Sequence, residues 1–99
     1  MESVYNMYVC VVKNITKQGC TDAYYEVTKR FAQEMKNVDG CIDAYVLKSL
    51  SNPCEIVNVE YWQSKEKKEA DDGSVFLKYK PELKPLFISN TSEEYEKDQ

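Results

Sequence analysis

Within "EIVNVEYWQSKE", residues 55–66, an asparagine, a glutamate and a tryptophan stand two apart at Asn58, Glu60 and Trp62. The run is rich in β-branched and aromatic residues and reads as a strand, on which alternate side chains share a face. One face then carries Ile56, Asn58, Glu60 and Trp62, and the other the apolar set Val57, Val59 and Tyr61. In a dry pocket such a face has definite chemistry. The indole stacks on a planar ring, the amide donates a hydrogen bond to a ligand oxygen, and the carboxylate takes a proton once burial, which disfavours its charged form, has raised its pKa. The plainer alternatives are a core tryptophan, an asparagine that satisfies neighbouring backbone groups, and a glutamate paired with a lysine at a surface or interface.

The elements that must hold this strand follow from periodicity. Residues 4–14, "VYNMYVCVVKN", are apolar on both parities, as in a strand covered on both faces. Thr21 can cap a helix in which Tyr24, Val27, Thr28, Phe31, Ala32, Met35 and Val38 form one stripe. Glu26, Lys29, Arg30, Gln33 and Lys36 take its wet side, and Gly40 ends it. The strands "CIDAYVLKSL" and "CEIVNVEYW", joined at Ser51, Asn52 and Pro53, predict a hairpin. Ser64 caps a short polar helix, and Gly73 opens a second in which Val75, Phe76 and Tyr79 share a side, with Pro81 and Pro85 limiting how far the pieces run. "LFISNTSEEYE" supplies a last strand, and the acidic tail "EKDQ" is expected to fray. The order βαββαβ predicts one α+β domain over residues 1–99, ferredoxin-like, a four-stranded antiparallel sheet with its helices on one face. The doubly apolar parities of residues 7–12 and 41–47 would leave the other face exposed, so a homodimer that packs two sheets together is expected.

Charge and cysteine content exclude other classes. The net charge is −4, and the one lysine cluster, Lys65, Lys67 and Lys68, is interleaved with Glu66 and Glu69. Nucleic-acid binding needs clustered basic residues, so none is expected. No apolar run is long enough to span a bilayer, and the first ten residues, "MESVYNMYVC", lack a secretory pattern, so a cytoplasmic location away from membranes is expected. Cysteines 10, 20, 41 and 54 form no C-x-x-C pair and the chain contains no histidine, so no metal site is expected and the thiols are expected to be small buried hydrophobes, with Cys20, just before a predicted helix start, a partial exception.

The hairpin followed by "VEYWQSKEKKEADDGSVFLKYKPELKPLF" resembles the antibiotic biosynthesis monooxygenase family, quinol monooxygenase-like, of small dimeric α+β barrel proteins. The E-x-W at Glu60–Trp62, the S-x-E at Ser64–Glu66 and the earlier "VVKNITKQG" and "NVDGCIDAYVL" carry the resemblance over nearly the whole chain. It implies a homodimer with a cavity between sheet and helices in each protomer. Some members oxygenate aromatic polyketides or quinols without flavin, metal or haem, and in these an Asn and a Trp four residues later line the site, which match Asn58 and Trp62. The resemblance thus implies a cofactor-independent monooxygenase acting on a small aromatic molecule. Triplet oxygen reacts slowly with closed-shell molecules, whereas an electron-rich phenolate or carbanion reduces it directly. Trp62 would stack on the ring, Asn58 donate to a quinol or peroxy oxygen, Glu60 act as base, and Tyr45, Phe76 and Tyr79 line the cavity as substrate-binding residues. The chain also departs from the family. The histidine that many members carry after the short helix is replaced by "EADDGS", the aromatic six residues after the tryptophan by Lys68, and the late arginine has no equivalent among Lys78, Lys80 and Lys84. A haem-degrading role, which depends on histidine, is not expected. A non-catalytic small-molecule binder or stress-related protein, or an isomerase acting on a small metabolite, stays open as the alternative.

Overall fold

Residues 6–98 are described by a computed structural model. Strand β1 (Met7–Thr16) is followed by helix α1 (Thr21–Met35), the strands β2 (Cys41–Lys48) and β3 (Glu55–Trp62), two short helices α2 (Lys65–Ala70) and α3 (Ser74–Leu83), a turn of 3-10 helix at Lys84–Leu86, and strand β4 (Phe87–Lys97). The sheet is antiparallel in the order β2-β3-β1-β4. This is the expected ferredoxin-like arrangement. Residues 4 and 5 of the anticipated first strand lie outside the described residues.

The predicted stripe is the inward face of α1, and Glu26, Lys29, Arg30 and Gln33 on the other side are exposed. Tyr24, Val27, Thr28, Phe31, Ala32 and Met35 are buried, and most of them share one apolar cluster with Cys41, Ala44, Ile56, Trp62, Tyr79 and Leu83. The hairpin turns where expected. Ser49 Oγ accepts from the Asn52 amide at 3.0 Å, and Asn52 Oδ1 accepts from the Cys54 amide at 2.9 Å, so side chains supply the acceptors that close the turn. Ser64 Oγ accepts from the Lys67 amide at 3.1 Å and caps α2, as its position predicts.

Four local expectations need correction. The N-cap of α1 is Cys20 rather than Thr21, because the Thr21 hydroxyl is engaged with that of Thr16 at 2.7 Å. Gly40 does not end α1, which stops at Met35; with φ +87° it instead turns the chain into β2, and its carbonyl accepts from the Gln63 amide at 2.8 Å. Pro81 lies inside α3 rather than ending it, and the carbonyl that a proline four residues on cannot satisfy belongs to Leu77, an exposed residue that water reaches. Main-chain pairing carries β4 through Glu96 and Lys97, opposite Tyr8 and Met7, so that part of the acidic tail is strand.

One irregularity decides which side chains face the helices. Between Cys41 and Asp43 the register of β2 against β3 shifts: Cys41 stands opposite Trp62, but Ala44 stands opposite Glu60. The extra residue reverses the parity of everything after it. Cys41 and Ala44 point inward, and Tyr45 and Leu47 point outward with their partners Val59 and Val57.

Candidate functional site

Because α1 and α3 cover only part of the sheet, a cavity of about 800 Å³ remains between them and the strands β3, β1 and β4. Its floor is the inward face of the strands. Antiparallel pairing sets Cys10 opposite Glu60, Val12 opposite Asn58 and Tyr8 opposite Trp62, and a residue and its direct partner share a face. Phe31 and Met35 of α1, Phe76 of α3 and Phe87 supply apolar walls, and Lys68, Asp71 and Glu94 stand around the Glu60 end.

The sequence-nominated residues separate into two groups. Asn58, Glu60 and Phe76 line the cavity. Trp62 is on the predicted face but is 0% exposed, sealed in the core rather than open to the cavity. Its Nε1 donates to Glu60 Oε1 at 3.0 Å, so its reach into the site is through the carboxylate. Tyr45 is turned to the opposite face by the β2 bulge, where its ring lies 6.1 Å from that of Tyr61, and the hydrogen bond that its hydroxyl donates to Tyr61 pushes its phenol up to about 12. Tyr79 is buried against α1, with its ring 6.2 Å from Phe31 in an edge-on contact and its hydroxyl bonded to Glu34, away from the cavity. The reason for both displacements is packing: a bulge in one case, and in the other a helix–helix contact that takes the aromatic face the cavity would have used.

The electrostatics favour proton chemistry at one place. Burial pushes the Glu60 carboxyl above its ordinary value, while the Trp62 N–H and the Lys68 ammonium pull it back in part and Asp71 adds to the rise. Burial likewise raises the Tyr8 phenol, with Cys10 and Glu94 beside it reinforcing the rise, so Tyr8 stays protonated and keeps its hydrogen-bond donor. Burial also raises the Cys10 thiol, and it pushes the Cys41 thiol up to about 11, so neither is an activated nucleophile. Asn58 is held rigidly by Asn14 Nδ2, 2.8 Å from its Oδ1, and by Thr28 Oγ1, 2.8 Å from its Nδ2.

Tyr8, Asn14, Thr28 and Glu94 also line this cavity, and sequence reasoning did not nominate them. The signal for Tyr8 lay in the strand order. Once β1 lies next to β3 in an antiparallel register, the parity of Tyr8 and Cys10 is the parity of Glu60 and Trp62.

A partly roofed antiparallel sheet with an aromatic-lined cavity and a sheltered carboxylate makes this an α+β domain with room for a small molecule between sheet and helices. The family model of antibiotic biosynthesis monooxygenases matches residues 7–74, and the chain belongs to that family. No curated protein matches the sequence. Among solved structures, a candidate antibiotic biosynthesis monooxygenase from Nitrosomonas europaea aligns with a TM-score of 0.81 at 20% identity, over 90% of this chain and 88% of its own. One from Bordetella bronchiseptica gives 0.82 at 12% identity, over 95% and 99%. A protein of unknown function from Bacteroides thetaiotaomicron, described as a possible oxidoreductase, gives 0.76 at 18%, over 93% and 97%. At these identities the likeness is one of fold. No helix among the described residues is long and apolar enough to cross a membrane.

Proposed function

We propose that this protein is a monooxygenase that oxidises a small, electron-rich aromatic compound of the quinol or anthrone type with molecular oxygen, the substrate itself supplying the electrons. The observation that carries this reading is the Glu60 carboxylate, raised in pKa by burial and set on the wall of a cavity large enough for a fused-ring molecule. For an anthrone-type methylene, Glu60 takes one C–H proton and leaves a carbanion conjugated with the ring oxygen. The carbanion passes one electron to oxygen, and the resulting radical and superoxide combine into a peroxide at that carbon. Loss of the second C–H proton with cleavage of the O–O bond gives the ketone and one water, so one oxygen atom enters the product. Asn58 donates to the ligand or peroxy oxygen, Tyr8 offers a second donor, and Phe76 packs on the ring. This assignment gives Trp62 the task of holding Glu60 and gives Tyr45 and Tyr79 none.

The test is oxygen uptake by the purified protein with a hydroquinone or anthrone. Wild type should consume oxygen, and Glu60→Gln and Asn58→Ala should lose most of that rate, whereas unchanged rates in both would remove these residues from the mechanism. The burial of Trp62, which takes the stacking indole out of the cavity, favours a second reading, a binder without turnover. Stabilisation by aromatics with no oxygen consumed would select it.

The assembly belongs to the same proposal. Val11, Val57, Tyr61, Tyr45 and Leu47 form an apolar outer face on the central strands and β2, with Leu47 48% exposed, and a second copy packed against it would keep that surface dry. Sedimentation should give a dimer, and Leu47→Lys should shift it toward monomer. A cytoplasmic setting fits cysteines kept as thiols.

A further inference from the structure

Three side chains form a line across the cavity, and each link in it runs one way. Asn14, on β1, is 3% exposed. Its Nδ2 lies 3.1 Å from the Ile56 carbonyl oxygen and 3.5 Å from that of Val12. Carbonyls only accept, so the orientation of this amide is fixed. The same Nδ2 lies 2.8 Å from the Asn58 side chain, and the Asn58 atom there must therefore be the acceptor, Oδ1. Asn58 consequently turns its own Nδ2 to Thr28 Oγ1 at 2.8 Å, and the threonine oxygen accepts. Flipping either amide would set N–H against N–H or oxygen against oxygen.

The end of the line is the informative part. Thr28 is 1% exposed, and among the described residues its hydroxyl donates to no protein acceptor, not even the carbonyl one helical turn back that a threonine commonly uses. A buried hydroxyl hydrogen without an acceptor is costly. Thr28 lines the cavity together with Asn14 and Asn58, so its hydrogen and the second Nδ2 hydrogen of Asn58 are left for the cavity's occupant.

We infer that this relay makes the α1 side of the cavity a donor subsite for a carbonyl or oxyanion oxygen of the ligand, with Thr28 touching that oxygen and Asn14, from β1, acting as the positioning residue that sets the polarity. The inference rests on the reading that the cavity binds an aromatic substrate, and it narrows that substrate to rings bearing an acceptor oxygen. Rings that present an amino group at that point meet a donor with a donor and are rejected. As Glu60 removes a proton, negative charge moves onto the conjugated oxygen, and two donors waiting there stabilise the ionised ligand.

The probes are α-tetralone, a bicyclic aryl ketone, and tetralin, the same frame without oxygen, titrated without turnover into wild type, Thr28→Val, Thr28→Ser and Asn58→Asp. Wild type should bind α-tetralone more tightly than tetralin. Thr28→Val, similar in shape but without the hydroxyl, should weaken α-tetralone about fivefold, the loss of one neutral hydrogen bond, with tetralin unchanged. Thr28→Ser should restore the affinity. Asn58→Asp accepts from both Asn14 and Thr28, turns the threonine hydrogen away from the cavity, and should produce at least the same loss with every internal link still made. No preference for α-tetralone in wild type, or equal affinity in wild type and Thr28→Val, overturns the inference, as does failure of wild type to bind α-tetralone. Ketone binding is measured without oxygen chemistry, so absent oxygen uptake would refute the monooxygenase reading and leave this subsite standing.

Discussion

Replacing Trp62 by phenylalanine distinguishes a tryptophan that acts on substrate from one that acts on Glu60. The indole is fully buried, and its only hydrogen bond among the described residues goes to the Glu60 carboxylate at 3.0 Å. Phenylalanine removes about three ring heavy atoms from a site with no water to refill it, worth about 2 kcal/mol at about 0.8 kcal/mol per buried carbon. The orphaned acceptor adds about 1–2 kcal/mol. A total of about 3–4 kcal/mol is a large share of a small domain's stability and should lower the unfolding midpoint by roughly 15 °C, followed by circular dichroism because the variant loses the only tryptophan. The second consequence concerns protons. An N–H that donates to a carboxylate favours its charged form, so removing the donor must raise the Glu60 pKa further above its already elevated value. Carboxyl-carbon NMR titration reads this without any substrate. A rate that depends on ionised Glu60 should then begin to rise at higher pH in Trp62→Phe and reach a plateau near that of wild type. A Glu60 midpoint that stays in place or falls, or a plateau that collapses at every pH, would refute the positioning account.

Glu60→Gln keeps an acceptor for the Trp62 N–H but carries no charge at any pH. Because the folded pKa of Glu60 is raised, wild type loses stability as pH climbs through it, so urea midpoints should show the variant more stable at neutral pH and the two equal in acid. Gly40→Ala should cost about 2 kcal/mol in urea unfolding, since its φ of +87° strains any other residue and the new methyl would sit 2.6 Å from Lys67 Cβ, pushing α2 off the sheet. Tyr79→Phe removes the bond to Glu34 on the outer side of α3 and should leave oxygen uptake at the wild-type rate.

Local pattern carried the fold a long way. The α1 stripe from Tyr24 to Met35 and the side-chain-closed turn at Ser49–Cys54 are determined by residues within a few positions of one another, and both were legible. Parity also gave the correct face for Asn58 and Glu60. It failed at Tyr45, because a one-residue bulge at Ile42 reverses the count and nothing in "CIDAY" announces it. Parity likewise gives a direction without a depth: Trp62 points the same way as Glu60, yet it is fully buried within the apolar cluster that also holds Met35, Cys41 and Ala44. The Asn14–Asn58–Thr28 line was illegible for another reason, since its links join residues 44 and 30 positions apart and appear only when three elements are assembled.

Every residue of β4 from Ile88 to Lys97 is exposed, so along that flank the cavity has a floor and no ceiling. Selection by size is therefore unequal in different directions. Thickness is gauged strictly where Phe31 faces the sheet, whereas extra rings or a side chain directed over Ser92 and Glu94 can overhang into solvent without a clash. A series of compounds lengthened in that direction should be accepted nearly as well as the parent, and the same atoms added across the ring plane should be refused.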